Sequence, residues 1–350
     1  MAAVGAQRKL DLTKRSQVST LLISSFTDEV VGQETATRAL IDMMEYHQAG
    51  FGDRSKPAGV ALFLGPTGTG KTHVVETFAR NVLGTKQACL RVDCAEFQHS
   101  HEIAKLIGSP PGYLGHRETH PMLTQEALDK FHTDKMKLSV LLFDEIEKAS
   151  DALWSLLLGI LDNATLTLGD NRKVDFKNVI IVMTSNVGAR DMANRGIGFV
   201  EPDDTQDAAR LDQIALSAAK SKFSPEFMNR LQTVVVFKAL TKTQIEDILE
   251  IELRALDQRI FFANHDRPLG ALSRLFEFDV SPRAKRKLIE DGFDKTYGAR
   301  HLKRAIDRWI EKPLAQLVTS GEIKHGDKLV VDYAGEDTFE FYVHSQFAKE

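Results

Sequence analysis

The stretch Val60-Ala-Leu-Phe-Leu-Gly-Pro-Thr-Gly-Thr-Gly-Lys-Thr72 runs from five apolar residues straight into a glycine-rich turn. Residues 65–72 fit the pattern G-x-x-x-x-G-K-[ST], and the flanking residues supply the context that pattern requires. Ahead of it, residues 60–64 read as a strand buried on both faces. Behind it, Val74, Val75, Phe78, Ala79, Val82 and Leu83 recur at helical spacing up to Gly84, a fitting stop. Strand, glycine-rich loop and helix in that order bind phosphate, because backbone N–H groups converge on the anion and the helix N-terminus favours negative charge. Gly65, Pro66, Thr67, Gly68, Thr69 and Gly70 form the cradle. Lys71 is expected to reach the β- and γ-phosphates and Thr72 to ligate Mg2+, so the ligand expected is ATP with Mg2+.

Working outward, apolar runs of strand length recur at 88–92, 138–143, 178–183 and 233–237, with helical stretches between them. Strands alternating with helices predict an α/β domain on a parallel sheet of five strands. The pattern changes after Leu240. Thr241 is a plausible N-cap for a long amphipathic helix, further helices are expected over 281–290 and 300–320, and short strands over 276–280, 328–332 and 338–343. This reads as a smaller C-terminal α+β lid domain. The expected division is an extension at 1–25, an ATPase large domain at 26–240 and the small domain at 241–345.

The strand at 138–143 ends in Asp144-Glu145. Downstream of a phosphate loop, Asp144 is expected to hold the Mg2+ shell and Glu145 to orient and polarise the attacking water. The strand at 178–183 leads into Thr184-Ser-Asn186, whose Asn186 can reach the γ-phosphate and that water.

The 350 residues are 43% hydrophobic and 27% charged with net charge −4, an ordinary globular balance without the basic footprint of a nucleic-acid binder. No apolar run approaches the roughly 20 residues that span a bilayer. Residues 18–26 lack a cleavage site and read as a short helix rather than a signal peptide. Cys89 and Cys94 lie at an odd spacing on a strand and its end, which points them to opposite faces. They are expected to be buried thiols of a cytoplasmic protein. His99 and His101 are expected to be solvent-exposed.

With these three site motifs in order, the chain resembles an AAA+ ATPase, and more narrowly the second ATPase module of the Clp unfoldases and disaggregases, over residues 30–332. Val30-Val-Gly-Gln33 is similar to the adenine-contacting segment, which implies base contacts from Val30 and Val31. Leu106-Ile-Gly-Ser-Pro-Pro-Gly-Tyr-Leu-Gly115 is similar to the first pore loop, which implies that Tyr113, with Leu114, grips a translocating polypeptide; a second pore loop would lie near 167–172. Asp175-Phe-Lys-Asn-Val-Ile-Ile-Val-Met-Thr-Ser-Asn186 resembles the stretch into the first sensor. Phe223-Ser-Pro-Glu-Phe-Met-Asn-Arg230 resembles the arginine-finger segment, which implies that Arg230 reaches the neighbouring subunit's nucleotide. Tyr297-Gly-Ala-Arg-His-Leu-Lys-Arg304 resembles the second-sensor helix, which implies that Arg300 contacts the phosphates in cis. The resemblance implies a homohexamer that threads polypeptide through its pore. Gly196-Ile-Gly-Phe-Val200 looks like the short apolar tripeptide by which some relatives dock a peptidase, here Ile197-Gly198-Phe199; packing of Ile197 and Phe199 within the domain is the other reading.

The chain also departs from the pattern. His116-Arg-Glu-Thr-His-Pro121 replaces an acidic, glycine-rich stretch, and His73 stands where many relatives carry Glu. The accessory domains of the long relatives are not expected ahead of the first strand, so their adaptor recognition is not carried over. The altered loop leaves a second reading open: an ATP-dependent switch or assembly factor acting on one folded partner without threading.

Overall fold

The computed structural model describes residues 11, 13–109, 120–134, 136–189, 192, 205–262, 276–293, 298–324 and 326–344. Tyr113, Leu114, residues 116–119 and Ile197-Gly198-Phe199 lie outside the described residues.

Five strands form a parallel sheet in the order β2-β3-β6-β1-β7: β1 (Gly59–Leu64), β2 (Cys89–Asp93), β3 (Ser139–Asp144), β6 (Val179–Ser185) and β7 (Thr233–Val236). The two-residue period of a strand divides the side chains between two cores. Val60, Leu62 and Leu64 of β1, Leu141 and Phe143 of β3, and Ile181 and Met183 of β6 enter one core. Ala61 and Phe63, Val140 and Leu142, and Ile180 and Val182 enter the other. The three strands are buried along their whole length, because helices cover both faces. Helix Asp151–Asn163 sends Leu153, Leu157 and Ile160 into the first core, while helix Lys71–Leu83 sends Val74, Val75 and Phe78 into the second. Helices Gln17–Glu29 and Glu34–Gln48 join that second side through Leu22, Phe26, Leu40, Ile41 and Met44.

Cys94 lies in the first core and Cys89 packs against the second, so the thiols face apart as their spacing requires. Burial pushes the Cys89 thiol up to about 12 and the Cys94 thiol up as well, which disfavours the thiolate form of both. His99 and His101 are exposed and stack on each other.

A two-stranded antiparallel hairpin, β4 (Thr165–Thr167) with β5 (Lys173–Asp175), packs Leu166, Leu168 and Val174 into the first core. Its turn covers the segment expected to form a second pore loop. Gly169 within it donates to the Ile107 carbonyl at 2.8 Å, and a Cβ on Gly169 would lie 2.6 Å from the Gly108 carbonyl oxygen.

Residues beyond Leu240 build a third core of their own. β8 (Glu277–Val280), β9 (Lys328–Gly335) and β10 (Thr338–His344) form a sheet in the order β10-β9-β8. Helix Lys242–Phe262 is capped reciprocally: Thr241 Oγ1 accepts from the Gln244 N–H, and Gln244 Oε1 accepts from the Thr241 N–H. The helix expected over 300–320 is interrupted. α-Helix Arg300–Ile306 passes into a π-turn, Asp307–Glu311, before helix Lys312–Ser320. Pro313 explains the break, since it cannot donate to the Trp309 carbonyl and its ring crowds that carbonyl. Among the described residues, no helix is long and apolar enough to cross a membrane.

Candidate nucleotide site

Parallel register brings the site together at one edge of the sheet. Leu64 pairs with Ser185, and Phe143 with Met183, so Gly65, Glu145 and Asn186 emerge side by side at the carboxyl ends of β1, β3 and β6. Gly65 has φ +144°, and a Cβ there would lie 2.4 Å from the Phe237 carbonyl oxygen, so only glycine lets the loop leave the sheet at this point.

Lys71 opens the following helix and is buried. Its ammonium donates to the Gly65 carbonyl at 2.7 Å, the Pro66 carbonyl at 2.8 Å and Asn186 Oδ1 at 2.9 Å. Burial lowers its pKa to about 8, against the upward pull of Glu147, Asp144 and Glu145 and with a further downward push from Arg300. The Thr72 hydroxyl lies 3.3 Å from both carboxylate oxygens of Asp144. Asp144 also accepts from the Thr184 hydroxyl and, at 2.6 Å, from the Arg91 guanidinium.

Glu145 sits at φ +56°, an uncommon conformation for a residue with a side chain. Its N–H donates to Thr184 Oγ1 at 3.1 Å, which holds the turn. Its carboxylate accepts from Asn186 Nδ2 at 3.3 Å and from Lys148. The Asn186 N–H in turn donates to Glu147 Oε1 at 3.1 Å. Lys71, Thr72, Asp144, Glu145 and Asn186 therefore form one hydrogen-bonded cluster.

The C-terminal part lines, together with this cluster, a half-open cavity of about 320 Å3. Val30 and Val31 line it from one side, and Leu240, Ile248 and Ile251 from the other, forming apolar walls beside the phosphate loop. Arg300 and Lys303 line it as well, and Lys303 pairs with Glu252 at 2.8 Å. The Ala299 N–H donates to the Gly68 carbonyl at 3.2 Å, so the second part is bonded directly to the phosphate loop. Gly298 permits that approach, with φ +55° and a Cβ position only 2.6 Å from the Gly68 oxygen. His73 also faces the cavity, its Nε2 lying 3.2 Å from the Glu29 carbonyl oxygen; burial, then Lys303 and Lys86, lower its pKa.

Arg230 does not join this group. It lies at the end of the Pro225–Met228 turn, paired with Asp162 through two contacts of 2.6 Å and with Glu226 at 2.9 Å. Gln33, the last residue of the 30–33 segment, donates to the Thr69 carbonyl at 3.2 Å. Several other residues at the site carry no motif of their own: Arg91, His73 and the three apolar residues of the second part. His73 alone was signalled in the sequence, by its position directly after Lys71-Thr72.

Comparison with known proteins agrees with this geometry. The family model described as AAA domain (Cdc48 subfamily) matches residues 56–234, and that of the C-terminal, D2-small domain of ClpB protein matches residues 240–331. The chain is 36% identical over 333 residues to the ATP-dependent Clp protease ATP-binding subunit ClpC of Staphylococcus aureus (strain USA300), covering 94% of this chain and 38% of the relative. It is 39% identical over 308 residues to the chaperone protein ClpB of Pseudomonas putida, covering 88% of this chain and 33% of the relative. A structure described as a closed-state cryo-EM reconstruction of Hsp104 with ATPγS and FITC-casein superposes with a TM-score of 0.76 at 28% identity, covering 94% of this chain and 53% of that one. The chain thus spans less than two fifths of the length of these curated relatives. The two matched families follow one another as the phosphate-loop sheet and the closing part do, and the chain belongs to the AAA+ ATPase family, similar to the second ATPase module of the Clp proteins.

Proposed function

We propose that the chain is an ATP-driven remodeller of polypeptide that hydrolyses ATP between subunits of a homohexamer and threads its substrate through the central pore. The observation that carries this reading is the convergence of Lys71, Thr72, Asp144, Glu145, Asn186 and Arg300 on one cavity spanning both parts of the chain.

In this reading, Lys71 leaves the carbonyls of its own loop for the β- and γ-phosphates, and Asn186 follows the γ-phosphate. Glu145 accepts a hydrogen bond from the attacking water and orients it in line with the bond that breaks. Thr72 and Asp144 present hard oxygen donors side by side, which suits Mg2+. That ion, when bound, would neutralise phosphate charge. Arg300 senses the phosphates from the closing part. Arg230 lies away from the chain's own cavity, where a neighbouring subunit's nucleotide could receive it, and there it would stabilise charge on the transferring group. Tyr113 and Leu114 would hold the polypeptide. Ile197-Gly198-Phe199 would dock a peptidase ring, in keeping with a relative described as the ATP-binding subunit of a protease. Two free thiols, Cys94 buried and Cys89 partly buried, suit the reducing cytoplasm as its location.

Steady-state ATP hydrolysis with and without an unfolded polypeptide tests this. Stimulation is expected in the wild type, its loss in Tyr113→Ala, and no turnover in Glu145→Gln. Wild-type hydrolysis that ignores polypeptide would overturn threading.

A further inference from the structure

Glu29 is the last residue of helix Gln17–Glu29 and enters the Val30–Val31 wall of the cavity. The peptide unit joining Glu29 to Val30 is held at both polar ends. Its N–H, on Val30, donates to the Phe26 carbonyl at 2.7 Å. Its C=O, on Glu29, faces His73 Nε2 at 3.2 Å. A carbonyl can only accept, so the ring nitrogen facing it carries the hydrogen. The Glu29 side chain is tied to helix Lys71–Leu83, the helix of His73, through its ion pair with Arg80.

His73 follows Lys71 and Thr72 in the first turn of that helix. One helical turn therefore fixes the phosphate loop at one end and the main chain beside the apolar walls at the other. Removing the His73 donor frees one end of the Glu29–Val30 peptide plane. The plane can then rotate, and with it the next peptide unit, while Lys71 and Thr72 keep their places. Phosphate contacts tolerate any base, but contacts to a base edge depend on where backbone donors and acceptors point.

We propose that His73 is a positioning residue for the base: through the Glu29 carbonyl it orients the main chain at Val30 and Val31, and so sets the preference of the cavity for adenine over guanine. This rests on reading the cavity as the nucleotide site.

The test measures dissociation constants of the full chain for ATP, GTP and inorganic tripolyphosphate, in wild type, His73→Ala, His73→Leu and His73→Gln. Wild type prefers ATP. The two variants without a donor bind ATP roughly 5-fold more weakly, the worth of about one hydrogen bond, while GTP and tripolyphosphate change by less than about 2-fold. His73→Gln, which keeps an N–H donor, retains most of the preference. Should His73→Ala fail to fold, His73→Leu against His73→Gln decides. An ATP-to-GTP ratio unchanged in the donor-free variants, or a parallel loss for all three probes, would overturn the proposal and leave His73 a packing residue. Absence of ATP binding by the wild type itself would overturn the nucleotide reading together with this one, and is separately visible.

Discussion

Lys71 has all three of its ammonium hydrogens directed at oxygen: two loop carbonyls and Asn186. On the proposed reading an incoming polyphosphate would replace them and favour the charged form, which would raise the pKa from about 8. The sign follows from linkage. Below pH 8 the side chain is already charged, and ATP affinity is insensitive to its titration. Above pH 8 binding takes up a proton, and affinity falls by up to about tenfold per pH unit until the bound-state pKa is reached. Calorimetry in buffers of differing ionisation enthalpy would show that proton uptake at pH 9; affinity that stays flat from pH 7 to 9.5 would contradict it. The place of Lys71 in the cluster was legible from the sequence because it lies in a contiguous motif. Arg91 was not, although its guanidinium lies 2.6 Å from the Asp144 carboxylate. It is one arginine in the middle of β2, and only the pairing of β2 with β3 brings it to the acid.

At the scale of elements, the sheet and the helix Lys71–Leu83 follow from apolar periodicity, since β1, β3 and β6 are buried on both faces and their runs are unbroken. The apolar walls could not be read in the same way. Leu240, Ile248 and Ile251 look like any other buried positions of an amphipathic helix and its approach, and their face toward the cavity is set by how the two parts meet. That meeting has a specific latch, the Ala299 N–H on the Gly68 carbonyl, with Gly298 leaving room for it. Gly298→Val places a β-branched side chain at φ +55° and against the loop carbonyl, a strain of roughly 1–3 kcal/mol. ATP affinity is expected to fall by about tenfold or more, with Arg300 still present. Titration of this variant beside Arg300→Ala separates the backbone latch from the guanidinium; wild-type affinity in Gly298→Val would show the latch to be dispensable.

For the whole molecule, the position of Arg230 bears most on assembly. Its charge is satisfied within the chain by Asp162 and Glu226, at a distance from the chain's own cavity. If it completes a neighbour's site, Arg230→Ala leaves ATP affinity unchanged and lowers turnover by roughly 10³-fold or more. Wild-type turnover per chain is then expected to rise with protein concentration as subunits associate. Equal turnover in the variant, or turnover per chain independent of dilution, would remove Arg230 from the chemistry.

The hairpin β4–β5 meets the main chain at Ile107 and Gly108 without a gap, since the Gly169 N–H is bonded to the Ile107 carbonyl and the Gly108 carbonyl occupies the space a side chain would need. The consequence is mechanical. The hairpin turn and the main chain at Ile107–Gly108 are spliced together, so a displacement delivered to one hauls the other along.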